Sequence, residues 1–159
     1  MGNHSASSSI AIPPDLAGAE GPEVATRLRL AITRMARRLR QEAGADLSPS
    51  QVAALATIER HGPLAPSELA ERERIKRPSA TRILSRLTAA GLIERVPDPA
   101  DGRSAIVTIS PPGRALVRRM RQRKTAYLAR RMRDLAAEDV DALARAAEVL
   151  ERMLEGERA

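Results

Sequence analysis

The spacing of apolar positions changes twice along the chain, and each change marks a new kind of element. From about Glu23 to Ala43, Val24, Leu28, Ala31, Met35 and Leu39 recur three or four residues apart, which lays one apolar stripe along a helix. Gly44 supplies a terminator. The segment SPSQVAALATIERHG opens on a capping box, Ser48 with Gln51, and sets Pro49 at the first helical position; the helix it predicts ends near Gly62. A third, short helix is expected within PSELAERER. A fourth is expected in PSATRILSRLTAAG, where Pro78 suits the first turn, Ile83, Leu84 and Leu87 form an inward face, and Gly91 fits a left-handed cap. A short helix, a tight turn and a second helix make a helix-turn-helix.

After Gly91 the period shortens. LIERV and AIVTIS read as two short strands, the first closed by Pro97, with DPADGR as the turn between them. A hairpin directly behind a helix-turn-helix is a winged helix. Helical spacing then returns from about Gly113 to Asp134, through Leu116, Val117, Met120, Tyr127, Leu128 and Met132. It continues from about Ala137 to Leu154, where Val140, Leu143, Ala147, Leu150 and Leu154 alternate spacings of three and four in a coiled-coil-like stripe. The predicted fold is mainly α: a winged helix-turn-helix with long N- and C-terminal dimerisation helices and a two-stranded wing.

The expected domain organisation is a flexible tail over 1–22, rich in Ser, Ala, Gly and Pro, then an N-terminal dimerisation helix over 23–46. A winged helix-turn-helix DNA-binding lobe follows over 47–110, and C-terminal dimerisation helices over 111–159. The dimer is inferred from burial. The central lobe covers its own core, whereas the long outer helices carry apolar stripes that need a cover, and a second copy related by a two-fold axis supplies it. The alternative is a monomer in which the three outer helices pack on one another.

Composition narrows the chemistry. The chain of 159 residues has no Phe, no Trp and one Tyr, so its core is built from Ala, Leu, Val, Ile and Met, a set that favours helices. Single-strand and RNA platforms that stack bases on aromatic rings are not expected. The absence of Cys excludes disulfides, thiolate metal sites and cysteine nucleophiles. His4 and His61, far apart, give no metal-ligand spacing, so neither metal nor cofactor is expected. The opening MGNHSASSS has no basic and apolar leader pattern, and no apolar run reaches membrane-spanning length; the expected compartment is the cytoplasm, with no membrane partner. An enzyme is not expected either. There is no Gly-rich phosphate loop and no nucleophile–base set, and Glu138, Asp139 and Asp141 read as acids at a helix start, where they complement the dipole.

The net charge of +7 is unevenly spread. Residues 72–95 carry seven basic and two acidic side chains; residues 114–133 carry nine basic and none acidic; residues 134–159 carry eight acidic and three basic. Such asymmetry points to a polyanion partner, although the acidic last helix also offers to neutralise the basic one before it.

A helix fits the major groove of B-DNA, where every base pair shows a distinct donor and acceptor pattern. With Ile83, Leu84 and Leu87 inward, Arg77, Ser79, Thr81, Arg82 and Arg86 lie on or beside the outer face. Ser79, Thr81 and Arg82 are candidates for reading bases, and Arg77 and Arg86 for holding phosphates. In the wing turn, Arg103 is placed to enter the neighbouring minor groove, whose negative potential draws in a single arginine. Asp101, two residues earlier, would orient it through a bidentate pair. The alternative for the two is an exposed hairpin ion pair worth less than about 1 kcal/mol.

The run LAERERIKRPSATRILSRLTAAGLIERVPDPADGRSAIVTISPPG resembles the MarR family of bacterial winged-helix regulators. The resemblance is carried by Leu69-Ala70, Thr81-Arg82, Leu87, Gly91-Leu92-Ile93, Arg95, Asp101-Gly102-Arg103 and Ile109-Ser110-Pro111-Pro112-Gly113, the last with Ile-Ser where the family has Leu-Thr. It implies a homodimer on double-stranded DNA with a pseudo-palindromic operator, often a repressor released by a small-molecule effector. It also implies an effector pocket between the dimerisation helices and the DNA-binding lobe, for which Met35, Leu39, Leu55 and Met120 are candidates, though the same residues are what a helical core is made of. The competing function is a sequence-tolerant architectural DNA-binding protein without effector.

Overall fold

In a computed structural model, the described residues are 21–44, 46–99 and 105–155. The element order is α1 Gly21–Ala43, α2 Pro49–His61, α3 Pro66–Arg72, α4 Arg77–Ala89, β1 Ile93–Pro97, β2 Ala105–Ile109, α5 Pro111–Met132 and α6 Ala137–Glu155. This is the mainly helical winged helix-turn-helix expected from the spacing. Contacts divide the chain into two compact units, residues 1–39 and residues 40–159.

In the first unit, α1 carries its apolar stripe uncovered: Val24 is 56% exposed and Met35 43%. In the second unit, Leu55 and Ile58 of α2, Leu69 of α3, Leu84 and Leu87 of α4, and Val107 of β2 are each almost wholly buried in one cluster. Ile83 is half-buried at its edge, and Ala80 takes the third inward place on α4. The α6 helix buries no residue completely.

The local signals explain most boundaries. The Ser48 hydroxyl accepts from the Gln51 N–H while the Gln51 side chain accepts from the Ser48 N–H, so the capping box starts α2 as expected. Gly44 stands at φ +58 after α1, and Arg123 of α5 donates to its carbonyl at 3.2 Å.

The helix-turn-helix corner is made without the usual residue. The Arg74 N–H donates to the Glu71 carbonyl and the Ile75 N–H to the Ala70 carbonyl, the paired bonds of a helix ending in a left-handed residue. That residue is Arg74, at φ 51, where glycine is the usual choice. Thr57 of α2 donates to the Glu73 carboxylate and ties this corner to the core helix behind it.

At the end of α4 the same pair of bonds recurs, Gly91 N–H to Thr88 and Leu92 N–H to Leu87, with Gly91 at φ +67. A Cβ on Gly91 would meet nothing within 4 Å, so Gly91→Ala carries only the conformational cost. We expect a loss of about 1 kcal/mol in unfolding free energy, measured by urea denaturation. A variant as stable as the parent would contradict the left-handed assignment.

The strands pair antiparallel in the register Ile93 with Ile109, Arg95 with Val107 and Pro97 with Ala105. Leu64, between α2 and α3, adds an isolated bridge on the other side of β2, with both bonds to Val107 formed (3.0 and 2.8 Å). The hairpin root is therefore held on both edges. Behind it, the buried Ser110 hydroxyl donates to the Gly91 carbonyl at 2.6 Å and accepts from the Gly113 N–H at 3.1 Å. One side chain thus caps α5 and fastens it to the end of α4.

Candidate nucleic-acid interface

Helix α4 turns one face to the core and leaves the other open. Ala80, Leu84 and Leu87 are buried, while Arg77, Ser79, Thr81, Arg82 and Arg86 are all exposed; Ser79, Arg82 and Arg86 share the side opposite Leu84, with Thr81 beside it and Arg77 at the helix start. Among the described residues, no carboxylate pairs with Arg77, Arg82 or Arg86.

The start of α4 is electrostatically unfavourable for a helix on its own. Its N-cap is Lys76, with no side-chain capping bond, its first residue is Arg77, and its first turn holds no acid. Cations at the positive end of a helix dipole cost stability, by up to about 1 kcal/mol each at low ionic strength. An anion delivered to that end would meet the dipole and two cations together, although Pro78 has no N–H and the Ser79 and Ala80 N–H groups already donate to the Lys76 carbonyl.

Two hydroxyls on this helix are already engaged as donors. Thr81 donates to the Arg77 carbonyl at 3.1 Å and Ser85 to the Thr81 carbonyl at 2.9 Å. Thr81 therefore offers a base edge its methyl group and an acceptor oxygen, a pairing suited to a thymine methyl.

The sequence did not reveal that the start of α2 stands beside this face. Ser48, Ser50 and Gln51 line one open groove of about 230 Å³ with Ser79, Arg82, Ile83 and Arg86. The capping box was legible as a helix start; its place next to the basic side chains of α4 follows only from how α2 and α4 pack. The expected wing residues Asp101 and Arg103 lie in 100–104, outside the described residues.

The four candidates for an effector pocket fall in both units. Met35 is exposed and Leu39 half-buried in the first; Leu55, in the core cluster, and Met120, on α5, are buried in the second. Tyr127 is buried, with the Arg131 guanidinium 5.6 Å from its ring centre. Among the described residues there is no group of three metal-ligating side chains, and no helix is long and apolar enough to cross a membrane.

The MarR family model matches residues 45–104, from just before α2 to the residue before β2. An HTH-type transcriptional regulator of Mycobacterium tuberculosis is 37% identical over 128 residues, 80% of this chain and 90% of the relative. The multiple antibiotic resistance protein MarR of Salmonella typhimurium is 32% identical over 99 residues, 62% of this chain and 69% of the relative. The chain belongs to the MarR family. A transcriptional regulator protein of Pseudomonas aeruginosa has a similar structure, with 34% identity and a TM-score of 0.78 over 86% of this chain and 96% of that one.

MarR proteins are transcriptional regulators that bind DNA and carry no enzymatic activity. The one departure from the MarR pattern noted in the sequence, Ile109-Ser110, keeps the hydroxyl that caps α5 and holds Gly91.

Proposed function

We propose that this MarR regulator acts as a homodimeric repressor that lays α4 of each copy into a major groove of a pseudo-palindromic operator and is released by a small molecule. The observation that carries the reading is the open, unpaired cationic face of α4, backed by a buried apolar face that fixes its direction. Ser79, Thr81 and Arg82 read bases; Arg77 and Arg86 hold phosphates; Arg103, oriented by Asp101, enters the minor groove at the wing. The domain roles follow: 1–22 a tail, 23–46 and 111–159 the dimerisation helices, and 47–110 the DNA-binding lobe.

The dimer is supported by what each long helix leaves uncovered. Val24, Ile32 and Met35 on α1, and Leu143, Met153 and Leu154 on α6, are all more than 40% exposed. For release, Met35, Leu39, Leu55 and Met120 are the candidate contacts of the small molecule. Leu55, wholly buried in the core, is the member it could reach only by displacing packing.

Selection of bound sequences from a random DNA pool tests the reading, followed by a screen for ligands that cause release. The expected result is an inverted repeat with half-site centres about one helical turn apart, or a small multiple. Enrichment of no sequence, with a steep salt dependence, would instead identify a sequence-tolerant architectural binder. At the wing, Arg103→Ala is expected to weaken operator binding about tenfold, the scale of one charge-assisted contact, while the dimer persists in sedimentation. Undiminished operator affinity would remove Arg103 from the interface.

A further inference from the structure

Ser79 differs from the hydroxyl residues that follow it on the open side of α4. Thr81 and Ser85 donate to carbonyls one turn back, whereas the Ser79 hydroxyl makes no hydrogen bond among the described residues. The residue is exposed, and it lines one groove with Arg82, Arg86 and the hydroxyl residues Ser48 and Ser50. Lys76 and Arg77 precede it by three and two positions. Residues 76–86 hold four bases, Lys76, Arg77, Arg82 and Arg86, and no acid, a local charge of +4.

The turn that holds Ser79 is also the part of α4 most easily opened. Lys76 stands outside the helix with extended backbone, at ψ 143, and supplies no side-chain cap. Arg77 is helical although it precedes Pro78, and a residue before proline is pushed toward extended backbone. The two cations at the helix start oppose the dipole as well. Opening this one turn presents Lys76-Arg77-Pro78-Ser79 as an extended segment, while Leu84 and Leu87 keep the rest of α4 in the core. Thr125 also follows bases, at one, two and four positions before it, but it lies in the interior of α5, with helix on both sides.

We propose that Ser79 is a phosphorylation site for a serine kinase that selects bases ahead of its target, and that the phosphoryl group, held by Arg82 and Arg86, switches off DNA binding. The proposal rests on the reading that α4 faces DNA. In the transfer, the Ser79 Oγ attacks the γ-phosphorus of a nucleoside triphosphate. The bond from that phosphorus to its bridging oxygen breaks, and the nucleoside diphosphate leaves. The hydroxyl proton passes to a base of the kinase, and nothing is oxidised or reduced. The product carries a charge of about −2 and three acceptor oxygens. It lowers the local charge from +4 to about +2 and gives Arg82 and Arg86, along the same groove, an anion nearer than any DNA phosphate. An acid in the first turn also relieves the unfavourable helix start. Modification therefore firms α4 while it spoils the surface that α4 presents.

The test has two arms. In the first, the full-length protein is treated with ATP and the catalytic subunit of cyclic-AMP-dependent protein kinase, a probe that favours bases at these positions. The modified residue is mapped by mass spectrometry, and Ser79 is expected to be the main site. No phosphate on Ser79, or phosphate chiefly on Thr125, would overturn the proposal. In the second, the chain is produced with Ser79 phosphorylated during synthesis. It is expected to bind the selected duplex on the order of 100-fold more weakly than the parent, from the occupied Arg82 and the like charge facing DNA phosphates. Its melting temperature is expected to equal or exceed the parent's.

Unchanged affinity would overturn the switch. Weaker binding with a lower melting temperature would assign the loss to a damaged helix and overturn it too. Arg82→Ala on the unmodified chain keeps the two readings apart. If that variant binds more weakly and the phosphorylated chain does not, the switch falls and α4 remains the DNA face. If neither loses affinity, α4 is not the DNA face, and the switch falls with it.

Discussion

Gly113→Ala is expected to destabilise the fold by about 3 kcal/mol, at the upper end of the usual cost of overpacking. Gly113 is in the first turn of α5, buried against the wing root. An added Cβ would lie 2.1 Å from the Leu92 carbonyl oxygen, 3.0 Å from its carbon and 2.9 Å from Ile109 Cγ1. The first two are backbone atoms, and Leu92 is held in turn: its carbonyl accepts from the Ser110 N–H at 3.1 Å and its N–H closes the end of α4. Moving α5 away would break the Ser110 hydroxyl's bonds to Gly91 and Gly113. Helix propensity favours the substitution by about 1 kcal/mol, but a backbone clash of this depth outweighs it. The urea midpoint of the purified variant checks the expectation. Stability within about 0.5 kcal/mol of the parent would mean that the seam between α5 and the wing yields freely.

Arg82→Ala and Arg77→Ala are expected to weaken DNA binding in different ways. A bidentate arginine–guanine pair is worth about 1–3 kcal/mol of discrimination. Arg82→Ala should therefore lower operator affinity by about 10- to 100-fold, while affinity for random duplex falls far less. Arg77, at the cationic start of α4, is assigned to a phosphate. Its removal should weaken specific and random DNA about equally and reduce the logarithmic salt slope by about one. Titration of both variants on selected and scrambled duplexes at several salt concentrations measures each effect. Equal losses on both DNAs for both variants would abolish the division between base reading and phosphate binding.

Most of the fold was legible because its boundaries are set by local chemistry. The Ser48–Gln51 box, the prolines in the first turns of α2 and α4, and Gly44 and Gly91 at helix ends act within a few residues, and each appears where the pattern put it; α5 starts at Pro111, two residues before the expected Gly113. The outward residues of α4 were legible for the same reason, since helical geometry alone sends Ser79, Arg82 and Arg86 opposite to Leu84, while Arg77 in the first turn and Thr81 beside that face are also exposed. The corner at Arg74 was not. It lacks the glycine that usually marks a left-handed residue, and it is held by the Ala70 and Glu71 carbonyls and by Thr57 reaching Glu73 from another helix.

The sequence by itself determined the elements, their order, the apolar face of each helix and the uneven charge, because spacing and capping are short-range. Tertiary structure alone decided that Leu64 braces the wing through Val107, that the start of α2 stands beside the arginines of α4, and that Gly113 is required for space while Gly91 is required for its backbone angle. Each of these depends on atoms distant in the chain meeting at contact distance, and no local pattern encodes where a distant carbonyl will lie.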